Sequence, residues 1–427
     1  MTILKDSLNG KVREEIIKLA NLENIDIGKL MKRIIKGHAI IMTRPNCDPI
    51  GIGSVFTTKI NVNLGTSDSK VDINEELEKV KIAQKYGAHT ISDLSMGGDI
   101  DFIRKRILQE SSLPVTTVPI YQVVAEASST INISEDQILS TIQKQINDGI
   151  SSIVLHAAFN LNDLHKLKGK RIMGMVSKGG TFTASIMVEN SIENPFMKNF
   201  DYILEMVKEK DIIINLGNSM RSGCIHDKLD DFQKSELKIN STLAKKANKQ
   251  GIQVIIEGLG GHVNAQDLKA WIKIYKKRSN KRPLFVAGPL PTEIGVGYDH
   301  IAAAIGGALA SGYGADYLCM ITPAEHLSLP SVNDIKEGLI AYKIAAHVGD
   351  SMKFGLSKSF DNDLNLSRQR FLKNWHKSFE YSIDPEEAQK RHPIDENTCT
   401  MCGKFCALSI SKRIFNLCSN NEAEPKP

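Results

Sequence analysis

The sequence predicts an α/β protein whose central part is a closed (β/α)8 barrel of the TIM type. Between about residue 55 and residue 325, short runs rich in Val, Ile and Thr alternate with amphipathic segments of helical length. Strands that alternate with helices are typical of a parallel sheet with helical crossovers. About eight such units in about 270 residues is the size expected for a closed barrel.

The sequence contains nine candidate strands, one more than the eight strands that a (β/α)8 barrel needs. The run at 171–177 follows its predecessor too closely for a helical crossover, so we interpret it as an excursion from the barrel. The nine runs are TTKINVNLG, HTISDLS, PVTTVPIY, SSIVLHA, RIMGMVS, DIIINLG, IQVIIEG, PLFVAG and ADYLCMIT.

The segments on either side of the barrel have a different pattern, which divides the chain into three parts. Residues 1–50 form a small N-terminal region with helical patterns and one short apolar run, AIIM at 39–42. Residues 51–345 form the catalytic barrel domain. Residues 346–427 are predicted to be a helical arm that ends in a metal-binding tip with three clustered cysteines.

The composition is that of a soluble globular protein and excludes several functional classes. Of the 427 residues, 41% are hydrophobic and 24% are charged, and the formal net charge is +5. Charges of both signs are interspersed, so no nucleic-acid partner is predicted. The polar start does not resemble a signal peptide, and no apolar run is long enough for a membrane span. We therefore expect a cytoplasmic enzyme.

Polar side chains follow nearly every predicted strand at its C-terminal end, where barrel enzymes carry their active sites. One polar residue at a strand end means little, since strand ends meet solvent, but the repetition indicates a pocket for a small polar ligand. These positions include Asn63, Tyr121, His156, Ser177, Asn218 to Arg221, Glu257, His262, Glu293, Asp299, His300, Glu325 and His326.

The segment Ser177-Lys178-Gly179-Gly180 has the composition of a phosphate cradle, although a simple glycine turn is an equal alternative. Glycines let backbone N–H groups approach phosphate oxygens, and Lys178 and Ser177 add a charge and a donor. Arg221 can clamp a phosphate or carboxylate with two hydrogen bonds, or it can form a structural ion pair.

His262 and His326 follow different predicted strands, so they can meet at the barrel mouth and bind a divalent metal, zinc or iron. Two histidines without a third firm ligand are a weak pattern. The alternative is that both are ordinary packing or surface residues.

Three cysteines near the C-terminus, Cys399, Cys402 and Cys406, have the spacing Cys-x2-Cys-x3-Cys. Three thiolates can hold three irons of a [4Fe–4S] cluster and leave the fourth iron free for the amine and carboxylate of S-adenosylmethionine. Spacing alone leaves a structural zinc knuckle equally open, with Cys418 or His392 as its fourth ligand. The odd number of cysteines, seven, and the scatter of the other four along the chain argue against a disulfide framework.

Taken together, the barrel segments and the cysteine triplet resemble the phosphomethylpyrimidine synthase family of thiamin biosynthesis. The resemblance runs from about residue 38 to residue 406, and its most specific motifs are GYDHI, TPAEHL and CTMCGKFC. Further segments are KINVNLGTS, ISDLSMGG, TVPIYQ, SKGG, ENPF and GPLPTEIG.

This resemblance implies a radical S-adenosylmethionine enzyme with a C-terminal [4Fe–4S] cluster on Cys399, Cys402 and Cys406. It implies a homodimer in which the cluster arm of one subunit reaches the other's active site. It also implies the substrate 5-aminoimidazole ribotide, a reductant such as flavodoxin or ferredoxin, and a divalent metal ion bound by His262 and His326. The positions resembling the family's substrate ligands are Asn63, Tyr121, His156, Ser177, Gly179, Arg221 and Glu257. Among them Glu257, His156 and Tyr121 are candidates for moving protons.

The sequence departs from the family's thiamin branch around the pocket and the cluster. One residue fewer separates the last two cysteines, and EGLGGH is one residue longer than the family's Glu-Gly-Pro-Gly-His. Thr-Thr-Asp is replaced by Pro291, Thr292 and Glu293. We include the other replaced positions among the substrate-binding residues: Ser92 for Met, Lys178 for Arg, Asn218, Ser219 and Met220 for Asp-Gly-Leu, and Phe285 for Tyr.

Changes gathered around the pocket are the pattern expected if the same ribotide is bound but the rearrangement ends differently. The family has such a paralogue group, the anaerobic 5-hydroxybenzimidazole synthases of cobamide lower-ligand synthesis, some of which act as pairs. The sequence interpretation therefore favours that product, with the pyrimidine phosphate as the alternative. The rival interpretations are a metal-dependent lyase or aldolase barrel with a zinc tip and a non-enzymatic partner subunit.

Overall fold

The computed structural model describes residues 2–127, 129–227, 229–357, 360–392 and 400–421, with side chains as far as residue 416. The chain divides into two compact units, Met1–Lys353 and Phe354–Pro427. The finer division at residues 50 and 345 stays a proposal.

The first unit begins with three short helices and a β-hairpin. The helices are α1 (Ile3–Leu8), α2 (Glu14–Leu22) and α3 (Ile27–Ile35). Strands β1 (Ala39–Met42) and β2 (Ile50–Gly53) pair in antiparallel fashion. Ile40, Met42 and Ile52 of the hairpin pack against Ile213 and Ile255 near the start of two barrel strands, so the hairpin covers the N-terminal end of the barrel.

Eight parallel strands form a closed barrel, which confirms the predicted fold class. Strands β3 to β9 pair with their neighbours in chain order, and the final strand closes the ring against both β9 and β3. The strands are β3 (Lys59–Leu64), β4 (Thr90–Asp93), β5 (Val115–Thr117), β6 (Ser152–Leu155), β7 (Ile213–Leu216), β8 (Val254–Glu257), β9 (Leu284–Ala287) and β10 (Tyr317–Cys319).

Helices connect the strands and cover the outside of the barrel. Several begin at a side-chain cap that the sequence supplies, such as Asp72, Asp99 and Ser134, which each accept a backbone N–H of the first turn. The helices are α4 (Ile73–Lys85), α5 (Ile100–Glu110), α6 (Pro119–Ala127), α7 (Glu135–Asp148), α8 (Leu161–Leu167), α9 (Lys178–Glu189), α10 (Pro195–Lys198), α11 (Phe200–Glu209), α12 (Asp231–Lys249), α13 (Ala265–Arg278), α14 (Asp299–Tyr313) and α15 (Val332–Phe354).

Two of the nine candidate runs do not form strands over their full length in the structure. The run at 171–177 contains no strand, in agreement with its interpretation as an excursion. The run PVTTVPIY was expected to be one strand closed by Tyr121, but β5 ends at Thr117 and Pro119 begins α6. Proline lacks a backbone N–H and its fixed φ suits the first turn of a helix, so the strand stops there.

The second unit is helical, as its sequence pattern predicts. Its helices are interrupted at Lys373, whose backbone is left-handed with φ 59°. The elements are a 3-10 turn (Gly355–Ser357), α16 (Asp361–Leu372), α17 (Trp375–Phe379), α18 (Pro385–Arg391), a second 3-10 turn (Gly403–Phe405) and α19 (Ala407–Asn421).

Within the described residues, we find no helix that combines the length and the apolar character needed to span a bilayer.

Candidate functional site

A cavity of about 900 Å³ lies at the C-terminal ends of the barrel strands. Eleven of the fifteen barrel residues that the sequence analysis singled out as substrate or metal ligands line it: Asn63, Ser92, Tyr121, His156, Ser177, Lys178, Arg221, Glu257, His262, Phe285 and His326. The other four, Gly179, Asn218, Ser219 and Met220, do not line the cavity. The barrel therefore brings together side chains from most of its strand ends, as the repeated polar positions predict.

His156, which follows β6, is held in a narrow slot between two glycines. A Cβ atom at Gly179 would lie 2.4 Å from Cδ2 and Nε2 of the ring, and one at Gly217 would lie 2.7 Å from Cε1 and Nδ1. Nδ1 lies 3.0 Å from Oγ of Ser219. Burial, aided by the charge of Arg221, lowers the pKa of His156 to about 3, so the imidazole is neutral.

Glu257, the last residue of β8, is held in the cavity wall by two donors. Its Oε1 accepts from the side-chain amide of Asn215 at 2.7 Å, and its Oε2 accepts from the backbone N–H of Asn218 at 3.2 Å. Burial raises the pKa of Glu257 against the opposing effect of these hydrogen bonds and of Arg221. A carboxyl group in this setting can hold or accept a proton next to a bound ligand.

The loop after β7, residues 218–221, is organised from behind by Glu236 on α12, which the sequence analysis did not identify. Oε1 of Glu236 accepts the backbone N–H of Ser219 at 2.5 Å, and its Oε2 accepts the side-chain amide of Asn218 at 2.6 Å. The N–H of Met220 donates to the same carboxylate at 3.2 Å. Burial raises the pKa of Glu236 to about 7. One buried carboxylate therefore holds the loop that touches both His156 and Glu257.

The Ser177-Lys178-Gly179 segment forms the start of α9 rather than an isolated turn. Ser177 is the buried N-cap, and its Oγ accepts the N–H of Gly180 at 3.2 Å. Lys178 lies over the ring of Tyr121, with Nζ 5.6 Å from the ring centre. Burial raises the pKa of Tyr121 to about 12, so its hydroxyl stays protonated. A helix N-terminus with a lysine at its first position is a favourable place for a phosphate.

Arg171 fastens the excursion at 171–177 to the loop that carries Arg221. Its guanidinium contacts both carboxylate oxygens of Asp230 at 2.7 and 2.9 Å, and it donates to the carbonyl oxygen of Arg221 at 3.2 Å. The side chains of Met173 and Val176 then line the cavity. The excursion therefore forms part of the cavity wall.

Two of the replaced positions, Ser92 on β4 and Phe285 on β9, also line the cavity. The ring of Phe285 stacks on Tyr317, with ring centres 4.1 Å apart. Oγ of Ser92 donates to the side-chain oxygen of Asn61 at 3.0 Å, and Asn61 donates to Asn63 at 2.8 Å. These contacts position a small hydroxyl and an apolar ring at the surface that faces a ligand.

His262 and His326 approach each other at the mouth of the cavity. Their Nε2 atoms are 3.5 Å apart. Two ligands of a tetrahedral zinc ion lie about 3.4 Å apart at ordinary Zn–N distances, so the pair fits a divalent metal. Among the residues that the structure describes, no group of three or more His, Cys, Asp or Glu side chains forms a metal site. The histidine pair alone would therefore leave coordination positions open.

The cysteine triplet lies in the second unit, and Cys399 falls outside the described residues. Cys402 and Cys406 flank the 3-10 turn Gly403–Phe405, and both are partly exposed. The backbone N–H of Ser409 is the main group that lowers the pKa of the Cys406 thiol, and Lys373 adds to it. A thiol with a lowered pKa suits an iron ligand, since metals bind the thiolate.

The four predicted positions away from the cavity have supporting contacts. Gly179 leaves room for His156, while Asn218 and Ser219 join the loop to Glu236 and His156. Met220 is buried in a small apolar cluster with Phe159, so its side chain packs away from the cavity.

The buried thiol of Cys319 lines the cavity and has its pKa raised to about 12 by burial. Its place at the end of β10 is the sequence signal that could have identified it.

Comparison with known protein families gives one match over nearly the whole chain. The sequence pattern of the Radical SAM ThiC family matches residues 2–413. This span includes the barrel cavity and the cysteine triplet. Radical S-adenosylmethionine chemistry implies that S-adenosylmethionine and a [4Fe–4S] cluster are the cofactors.

Curated relatives are similar over their full length. A phosphomethylpyrimidine synthase from Pyrococcus furiosus is 41% identical over 426 residues, covering 97% of this chain and 99% of the relative. Proteins of the same name from Thermoanaerobacter sp. and Methanocaldococcus jannaschii are 43% and 42% identical, covering 96% and 97% of this chain and 97% and 99% of the relatives. These names favour the pyrimidine alternative over the benzimidazole interpretation.

Proposed function

Because this chain belongs to the Radical SAM ThiC family, we propose that it is a radical lyase that converts 5-aminoimidazole ribotide to the pyrimidine phosphate of thiamine biosynthesis. The observation that carries the proposal is the full-length similarity to phosphomethylpyrimidine synthases, at 41% identity over 97% of the chain for one of them. The benzimidazole product that the sequence interpretation favours is therefore the second candidate.

A ribotide substrate is supported by the chemistry of the cavity. Ser177 and Lys178 at the N-terminus of α9 would bind the phosphate, with Arg221 available as a second cation. A volume of about 900 Å³ accommodates a nucleotide-sized ligand together with part of a cofactor. Asn63 on β3 and Ser92 on β4 would supply hydrogen bonds to the ring or ribose.

The proposed cofactors are a [4Fe–4S] cluster on Cys399, Cys402 and Cys406, S-adenosylmethionine, and a divalent zinc or iron ion at His262 and His326. When bound, the cluster and S-adenosylmethionine supply the radical chemistry that abstracts hydrogen from the substrate. The protein's own proton-holding groups are then Glu257, His156 and Tyr121. Neutral His156 can donate from one ring nitrogen while it accepts at the other.

A second candidate, synthesis of 5-hydroxybenzimidazole, is favoured by one specific observation. Phe285 and Ser92 both line the cavity at positions where the resemblance leads us to expect Tyr and Met. Phe285 lacks the hydroxyl that Tyr would add to the cavity wall, and the side chain of Ser92 is smaller than that of Met. Both changes alter the region where the substrate ring would be rebuilt.

Product analysis tests both candidates. Anoxically purified, reconstituted protein is incubated with aminoimidazole ribotide, S-adenosylmethionine and a reductant, and the products are identified by mass spectrometry. We expect the hydroxymethylpyrimidine phosphate and 5′-deoxyadenosine. 5-Hydroxybenzimidazole as the product would replace the first candidate by the second. Absence of 5′-deoxyadenosine with a fully loaded cluster would contradict the first candidate.

The proposed assembly follows from the same resemblance. We propose a homodimer with exchanged cluster arms, supplied with electrons by flavodoxin or ferredoxin and located in the cytoplasm. Pairing with a paralogous subunit belongs to the second candidate. Size-exclusion chromatography with light scattering, run on the protein alone, distinguishes a dimer from a monomer.

A further inference from the structure

The outer nitrogens of the two cavity histidines each face a carboxylate. Nδ1 of His262 lies 2.8 Å from Oε2 of Glu293, a pair that meets the distance but not the angle of a hydrogen bond. Nδ1 of His326 lies 3.3 Å from Oδ2 of Asp299. The inner nitrogens, Nε2 of both rings, point toward each other at 3.5 Å. Both rings thus have the same arrangement, with carboxylate outside and the free nitrogen inside.

Each carboxylate comes from an element that restricts its position. Asp299 is the first residue of α14 and is 2% exposed. Glu293 lies in the loop after β9, and its second oxygen accepts the backbone N–H of Ile225 at 2.7 Å. His326 has a left-handed backbone with φ 62°, an uncommon conformation for a residue with a side chain. The orientation of both rings therefore depends on contacts that reach beyond the rings.

We propose that Glu293 and Asp299 are positioning residues that orient His262 and His326 for a divalent metal. A carboxylate that accepts the Nδ1 proton of a metal-binding histidine fixes the tautomer, leaves the Nε2 lone pair free, and makes that nitrogen more basic. Zinc or ferrous iron is the class of ion that two imidazole nitrogens suit.

Glu293 has a further consequence, because it connects the metal position to the loop that carries Arg221. Its Oε1 holds the N–H of Ile225, and its Oε2 faces His262. Ser222, which directly follows Arg221, donates its hydroxyl to the carbonyl oxygen of His262. A shift of this loop on ligand binding would therefore be felt at His262. Among the described residues, Asp299 makes no such second contact to that loop, so it serves as the comparison.

The proposal rests on the metal of the proposed function, but its test measures metal binding and needs no product. Full-length holoprotein with the cluster reconstituted is stripped of its labile metal by a chelator. Zn²⁺ or Co²⁺ is then titrated in competition with a chromophoric chelator. The variants are Glu293→Gln, Asp299→Asn and the double variant His262→Ala/His326→Ala. Glu337→Gln on α15 removes an exposed carboxylate and serves as the charge control.

We expect Glu293→Gln and Asp299→Asn each to weaken metal binding about 10- to 100-fold, the usual effect of losing such a partner. The d–d absorption of bound Co²⁺ should shift in both variants, which a merely structural change elsewhere would not cause. Glu337→Gln should bind like the wild type. Because Glu293 also contacts the backbone near the loop that carries Arg221, Glu293→Gln should weaken ribotide binding more than Asp299→Asn does.

Three results would overturn the proposal. The first is metal affinity in both carboxylate variants within twofold of the wild type. The second is a loss as large as that of the double histidine variant, which would make the carboxylate a ligand. The third is a wild type that binds no more metal than the double histidine variant. A benzimidazole product, by contrast, would refute the proposed function while leaving these titrations unaffected.

Discussion

Replacing Gly179 with alanine is the sharpest steric test of the cavity. The added Cβ would lie 2.4 Å from Cδ2 and Nε2 of His156, whereas ordinary contacts begin at 3.4 Å. The ring or the start of α9 must therefore shift by about 1 Å, since the difference between those two distances is 1.0 Å. The ring cannot move away freely, because Gly217 also approaches it closely: a Cβ there would lie 2.7 Å from Cε1 and Nδ1.

A displacement of this size is expected to reduce substrate binding and turnover together. Misplacing a reacting group by about 1 Å can cost about 100-fold, which corresponds to about 2.7 kcal/mol. Overpacking at this site should also lower the free energy of unfolding by about 1–3 kcal/mol. The assays are calorimetric titration with aminoimidazole ribotide, the rate of 5′-deoxyadenosine formation, and thermal denaturation.

Gly307→Ala on α14 is the matched control, since Gly307 is also a helical glycine. A Cβ there meets its nearest atom, Cε1 of Tyr342, at an ordinary 3.5 Å. Alanine should therefore leave activity unchanged and add up to about 1 kcal/mol of helix propensity. If Gly179→Ala bound the ribotide within twofold of Gly307→Ala, the argument that His156 is held in a narrow slot would be wrong.

Three further changes test other parts of the structure. Cys402→Ala should abolish 5′-deoxyadenosine formation, measured by chromatography, because a three-cysteine cluster loses one of its ligands; undiminished cleavage would contradict the cluster assignment. Asn218→Asp places a second carboxylate where the amide now lies 2.6 Å from Glu236, so the pair must keep a proton. The melting temperature of this variant should therefore fall more steeply with rising pH than that of the wild type. The double variant Asn218→Asp/Glu236→Gln restores an amide–carboxylate pair and should recover part of that loss. Asp211 has its pKa raised from 3.8 to about 7 by burial, so its protonated form contributes stability that is lost as pH rises through about 7; Asp211→Asn should make the free energy of unfolding, measured by urea denaturation, less dependent on pH between 4 and 7, and an unchanged slope would refute this.

The barrel and most of its cavity could be predicted because they depend on local patterns. β-Branched runs separated by amphipathic segments determine where strands and helices alternate, and a closed barrel places all strand ends at one mouth. His156, Glu257 and Arg221 were therefore identified from position alone. The histidine pair was a weak pattern in sequence, and only the folded chain shows the 3.5 Å approach of its nitrogens.

Other features depend on tertiary contacts that leave no local trace. Glu236 lies within a helix that is rich in charged residues, so nothing in the sequence separates it from its exposed neighbours. Its role follows from burial against the 218–221 loop. The predicted place of Tyr121 at the end of a strand is wrong, because Pro119 ends the strand run and begins the helix that carries Tyr121. The division into three parts stays a prediction.

The replaced positions fall into two groups with different physical meaning. Asn218 acts behind the cavity, where its amide donates to Glu236 and accepts the N–H of Gly260 at 3.1 Å. An aspartate there would need a proton to face Glu236, whereas the amide pairs with the ionised carboxylate directly. This change alters the loop's charge state and leaves the cavity lining as it is. Ser92 and Phe285, by contrast, line the cavity, as Lys178 also does, so a change of product is expected to act through positions of this second group.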